Sequence, residues 1–256
     1  MGKIKALTRG ASALVVALLA TVGASGEVRA ADDQVDAKAT AALEAMGGYL
    51  RGLKSFQVDA HVARELVLDN GQKVEQRSTV TTVAQPPDRL LVRSVSDHVN
   101  RSFYFNGKEF TLWSPRLKYY ATIAAPGNIG QLADVLDEKY DTELPLVDLF
   151  RWGSPGNKTE PFTSAVDLGP STIDGVPCSQ YAFRQAGLDW QIWIQRGNHP
   201  LPRRLVLTTL DDEARPQYSV TYAWSLAPSY SDATFTFVPP KDAQKIAMRE
   251  RSKDSQ

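Results

Sequence analysis

The chain has 256 residues, of which 43% are hydrophobic, and it carries 29 basic against 29 acidic side chains. That apolar content can bury a real core and excludes a wholly disordered chain. The balanced, interspersed charge argues against a nucleic-acid surface, which would show a basic patch. With Cys178 the sole cysteine, no internal disulfide can form.

The first thirty residues read as an export signal. Lys3, Lys5 and Arg9 precede an apolar run from Ala11 to Val22, broken only by Ser12 and Thr21, and Val28-Arg29-Ala30 suits a cut before Ala31. The run is shorter than the roughly 20 apolar residues of a spanning helix. The expected organisation is a signal peptide at 1–30, one domain over 31–240 and a polar C-terminal tail over 241–256. Cleavage would leave 25 basic and 28 acidic groups, a net charge of −3. The expected location is the periplasm, with no transmembrane segment after cleavage. Cys178 lies far from the cut, so no lipid anchor is expected there.

Val35, Ala39, Ala42, Leu43, Met46, Leu50 and Leu53 recur at helical spacing and predict an amphipathic helix over 34–53, with Asp32 or Asp33 as its cap. Gly47-Gly48 weakens it by about 1 kcal/mol per glycine relative to alanine. Alternation of period two follows: Phe56, Val58, Ala60 and Val62 point one way, Gln57, Asp59 and His61 the other. The strand runs to Leu68, turns at Asp69-Asn70-Gly71 and returns over Lys73–Ala84 until Pro86-Pro87-Asp88. Arg89–Ser96, Arg101–Phe105, Glu109–Trp113 and Leu117–Thr122 complete six strands in meander order, with Asn106-Gly107 as a second hairpin turn.

Helical spacing returns at Ile129, Leu132, Ala133, Leu136 and Tyr140, and Pro145–Trp152 reads as a short apolar helix. Together they form an insert over 128–151. Gly153–Pro161 is a loop. The later strands are Val166–Leu168, Ser171–Ile173, Val176–Arg184, Leu188–Gln195, Arg203–Leu210 and Gln217–Leu226. The tail Lys241–Gln256 is mostly charged and reads as a short helix. About twelve strands without a βαβ rhythm predict a mainly β, antiparallel sandwich or barrel.

Residues for chemistry are scarce. His61, His98 and His199 lack metal-ligand spacing. There is no nucleophile elbow, Walker loop or dinucleotide fingerprint, so neither a metal nor a cofactor is expected. Cys178 reads as a small buried hydrophobe, and Asp211-Asp212-Glu213 as a hairpin tip.

Strand aromatics are abundant instead. Phe103, Phe105, Phe110, Trp113, Tyr119 and Tyr120 form one cluster; Tyr181, Phe183, Trp190 and Trp193 belong to a second. Trp190–Ile194 carries large apolar groups on both faces, so one face needs cover from a helix or a ligand. The insert either packs there permanently or acts as a lid over an apolar cavity. In the lid reading Phe56, Val58, Phe103, Phe105, Trp113, Trp190 and Ile192 are wall residues, and Leu132, Leu136, Leu149 and Phe150 are on the lid.

Leu53-Lys54-Ser55-Phe56, Pro86 with Asp88-Arg89-Leu90, Phe103-Tyr104-Phe105-Asn106-Gly107-Lys108, Leu112-Trp113-Ser114 and Phe235-Thr236-Phe237-Val238-Pro239-Pro240 stand in the order seen in LolA/LolB-like periplasmic lipoprotein carriers. The chain resembles that superfamily over nearly its whole mature length, and also a related family of uncharacterised periplasmic proteins. The resemblance implies an incomplete antiparallel barrel of about 10–12 strands wrapped around helices, with an apolar cavity for acyl chains. The expected function is non-catalytic binding or carriage of lipid, lipoprotein or another apolar ligand. The alternatives are an envelope regulator that binds a partner protein and, further off, a hydrolase.

Overall fold

The computed structural model describes residues 35–152 and 161–251. The export segment 1–30, the candidate caps Asp32 and Asp33, and all of the Gly153–Pro161 loop except Pro161 lie outside the described residues.

The first helix, α1 (Ala37–Gly52), is capped by Asp36, whose carboxylate accepts the Lys38 N–H at 2.7 Å. The cap therefore falls three to four residues after the expected aspartates. Val35 instead forms a parallel bridge to Ala165, and the Asp36 N–H donates to the Ala165 carbonyl. Tertiary pairing fixes this helix start.

Six antiparallel strands follow: β1 (Phe56–Val67), β2 (Lys73–Gln85), β3 (Arg89–Ser96), β4 (Asn100–Phe105), β5 (Glu109–Ser114) and β6 (Tyr119–Ala124). β6 starts two residues later than expected because Lys118 takes a left-handed φ of 60° and closes a turn onto the Ser114 carbonyl. The insert is α2 (Ile129–Tyr140) and a single turn α3 (Asp148–Arg151). Leu146 has positive φ, so the expected helix from Pro145 is cut to its second half.

The chain returns through β7 (Ser164–Ile173), β8 (Val176–Gln185), β9 (Leu188–Gln195), β10 (Pro202–Thr209) and β11 (Gln217–Leu226). The two short strands expected around Gly169-Pro170 are one strand. A bulge between Asp167 and Gly169 absorbs the irregularity, leaving Leu168 exposed. The expected tail helix is also corrected. Residues 241–251 run as a turn, coil and the short strand β12 (Gln244–Lys245), which pairs parallel with Tyr119 and Tyr120 of β6.

The sheet order is β12-β6-β5-β4-β3-β2-β1-β11-β10-β9-β8-β7. The fold is mainly β: a curved antiparallel sheet, unclosed between β12 and β7, with the helices on its inner face. Two meanders meet where β1 pairs β11 along nine positions, Phe56 opposite Leu226 through Arg64 opposite Tyr218. Inner-face residues of both meanders and apolar residues of the three helices form one continuous core.

Candidate functional site

Alternation decides which strand residues meet the helices. On β1 the inner positions are Phe56, Val58, Ala60 and Val62; across β11 they are Leu226, Trp224, Tyr222 and Val220. Phe103 and Phe105 on β4, and Trp190 and Ile192 on β9, share that face. Leu132 and Leu136 of α2 and Leu149 of α3 are buried against it, and Phe150 packs on it with its ring 5.7 Å from Phe56. Ten of the eleven residues named for wall and lid therefore come together in one core.

Trp113 does not. Phe110 and Leu112 take the inner positions of β5, so Trp113 points to the outer face. There Phe237, on the chain leaving the 3₁₀ turn Asp232–Phe235, packs on Tyr104, Trp113 and Tyr120 with ring centroids 5.4, 5.5 and 5.1 Å away. That cover comes from more than a hundred residues downstream, beyond the reach of local alternation.

The insert is packed, not raised over an open cavity. The first turn of α2 carries a reciprocal Asn128–Gln131 capping box, and the Ile129 N–H donates to the Pro87 carbonyl at 2.9 Å. Leu136 is completely buried. α3 is a single turn. It has no side-chain cap, and Arg151 reaches Asp134 of α2 at 2.9 Å across partly exposed surface. The Arg51 guanidinium of α1 donates to the Trp152 carbonyl at 3.1 Å.

Two clefts open at opposite ends of the inner face. The first, about 850 Å³, lies along the seam between α1, α2 and α3, over Pro86 and Pro87. Leu50, Phe56, Ile129, Leu149 and Phe150 make its apolar surface; Arg51, Asn128, Gln131, Asp134, Asp137 and Arg151 make a polar surface of comparable extent. The second, about 510 Å³, lies between the far ends of β1–β3 and the loop joining α2 to α3. Tyr218 lines it, and burial, reinforced by Asp148 and Glu143, pushes its phenol up to about 12. Solvent reaches Asp148, yet the chain crowded around it raises its carboxyl, with Arg151 pulling the other way.

The other candidates for chemistry lie apart. His61 is exposed on the outer face, and Nδ1 of His199 lies 2.6 Å from the Tyr49 hydroxyl. Cys178 is buried, its thiol donates to the Val176 carbonyl at 3.4 Å, and desolvation raises its pKa, which disfavours the nucleophilic thiolate. Asp212 accepts the Ala214 N–H at 2.8 Å within its own turn. Among the described residues no three His, Cys, Asp or Glu side chains stand close enough to hold a metal ion, and no helix is long and apolar enough to cross a membrane.

Several solved structures are similar to this chain. An uncharacterised conserved protein of Thermus thermophilus has 12% identity and a TM-score of 0.47, over 82% of this chain and 99% of that one. The lipoprotein LppX of Mycobacterium tuberculosis has 14% identity and a TM-score of 0.46, over 76% and 98%. A LolA superfamily protein of Nitrosomonas europaea has 13% identity and a TM-score of 0.39, over 78% and 97%. At such scores they bear on neither ligand nor mechanism. No curated protein matches. The sequence profile of a family described as predicted periplasmic protein (DUF2092) matches residues 39–249, most of the chain, and the protein belongs to that family.

Proposed function

We propose that this is a non-catalytic periplasmic binding protein or carrier for lipid or lipoprotein acyl chains, which enter along the seam between the helices. The observation that carries this reading is the 850 Å³ cleft. It sets an apolar strip beside a polar one, and the apolar strip runs onto Phe56 and the continuous core. A hydrocarbon chain needs such a strip to replace water, with polar groups kept to one side.

The core is filled, so the chain must lie in the seam and displace part of the roof. α3 is the piece to move. Withdrawing Leu149 and Phe150 from their packing forfeits about 1.5–3 kcal/mol each, while each methylene buried returns about 0.8 kcal/mol. About four to eight methylenes thus offset the loss. A longer chain binds with a modest surplus, which suits reversible carriage. Phe56, Val58, Leu132 and Leu136 are the deeper contacts of that path; Phe103, Phe105, Trp190 and Ile192 complete the wall behind them.

Native purification from the envelope, followed by extraction and mass spectrometry, should recover acyl species near one per protein. A fluorescent sixteen-carbon fatty acid should bind the protein, and Phe150→Glu should weaken it at least about tenfold with the far-UV spectrum unchanged. A wild-type protein that carries no acyl species and binds no probe would overturn the reading.

A further inference from the structure

The second cleft differs in kind from the seam. Register places Arg64 of β1, Gln76 and Ser78 of β2, Ser94 of β3 and Tyr218 of β11 on the inner face at its floor. Glu143, Pro145 and Leu146 form the roof. One pleat inward the surface turns apolar, with Val62 and Val80 on the floor and Leu146 above, and it joins the core. The cleft is thus amphipathic along its length: hydrogen-bonding groups at the open end, hydrocarbon within.

Its charges are the informative part. Arg77 and Glu75 pair with each other, and Asp97 and His98 edge the cleft at the turn between β3 and β4, away from the roof. Arg64 and Glu143 do not pair, although both lie near enough to act on the Tyr218 phenol, with opposite signs. Arg64 is exposed and, among the described residues, makes neither an ion pair nor a hydrogen bond; Glu143 is likewise exposed without one. A cation on the floor and an anion on the roof therefore share a cleft without closing on each other. Opposite charges left apart across a gap complement a ligand that carries both signs. Arg64 can hold two phosphate oxygens in a fork, and the protonated Tyr218 hydroxyl can donate to a third.

We propose that this cleft binds a zwitterionic lipid head group, its phosphate on Arg64 and its ammonium on Glu143, with the acyl chain running past Val62, Val80 and Leu146 beneath the insert and into the seam, in the space that α3 vacates. The proposal rests on the acyl-binding reading above and names the lipid class and the end at which its head sits.

Competition against the fluorescent fatty acid, using the full chain, tests it. The competitors are three single-chain lipids of equal length: lysophosphatidylethanolamine, lysophosphatidylglycerol and a monoacylglycerol. The wild type should favour the zwitterion over the neutral lipid by about tenfold, as hydrogen bonds to charged groups allow. Arg64→Gln should bring both phospholipids down to the neutral lipid's level. Glu143→Gln should bring only the ethanolamine lipid down, to the level of the glycerol one. Melting curves should be unchanged, since both side chains are exposed. The chain-free head group, glycerophosphoethanolamine, should not compete, because lone surface ion pairs are weak. Equal competition by all three lipids in the wild type, an unchanged preference in Arg64→Gln, or competition by the free head group would overturn the proposal while acyl binding stands. Failure of every lipid to bind the wild type would overturn both.

Discussion

Thr82 is fully buried on the inner face between Val58 and Val92, and its hydroxyl has no hydrogen-bond partner among the described residues. An unmet buried donor costs about 1–3 kcal/mol. Thr82→Val should therefore raise stability by about 1 kcal/mol in urea denaturation; a loss would show that the hydroxyl is satisfied after all. The inner tyrosines make a second test. Tyr218 is held up to about 12 and Tyr222 well above its ordinary 10.0, chiefly by burial. Both stay neutral in the fold while their unfolded counterparts ionise near 10. Their contribution is complete below that value and is lost as pH climbs, for Tyr218 between 10.0 and about 12. Tyr218→Phe should leave stability at neutral pH little changed and make its decline over that window shallower, read as the urea midpoint against pH.

At the scale of the element, the glycine pair in α1 separates two roles. Gly48 faces solvent, and a Cβ there would meet nothing closer than Arg51 at 3.8 Å. Gly47 is buried, and its Cβ would stand 3.1 Å from the Trp152 carbonyl, where α1 meets the end of α3. Gly48→Ala should stabilise the protein by about 0.5–1 kcal/mol, the helix-propensity gain. Gly47→Ala should fall short of that gain because the contact consumes it. Equal midpoint shifts in chemical denaturation would show that α3 yields freely. The helical spacing marks this stretch as helix but says nothing of which glycine a second helix will touch.

For the whole molecule, the unclosed sheet leaves two edges, and segments from near each end of the chain shield them. Val35 bridges to Ala165 of β7. β12 pairs with β6, and the pairing is reinforced by Lys118–Asp242 at 2.6 Å and by the Arg251 N–H on the Lys139 carbonyl at 2.7 Å. An uncovered edge is a template for another strand. Ending the chain at Pro240 should cost about 1–3 kcal/mol and promote concentration-dependent association. Light scattering and thermal melting check this; a truncated chain that stays monomeric with an unchanged midpoint would contradict it.

Period-two alternation and turn residues are local, and they were enough to place β3, β9 and β11 with the bounds the structure shows, while helical spacing marked α2 as a helix within the insert. They also carry the mainly β class and the absence of a βαβ rhythm. Local signals go no further because burial is settled by residues far apart in the chain. Trp113 belongs to the outer face only because Phe237 returns to cover it, and Gly169-Pro170 stays within one strand because β8 pairs past the bulge. The charged tail reads as a helix until the free edge of β6 offers it a partner. Among the candidate site residues, the sequence determined that Phe56, Leu149 and Phe150 are apolar groups in need of cover. Only the tertiary structure decided that they cover one another, leaving a seam between helices rather than an open cavity. Arg64 and Glu143 carried no signal at all: an arginine in a strand and a glutamate in a loop are ordinary until the register of β1 with β11 and the return of the insert set them in the same cleft.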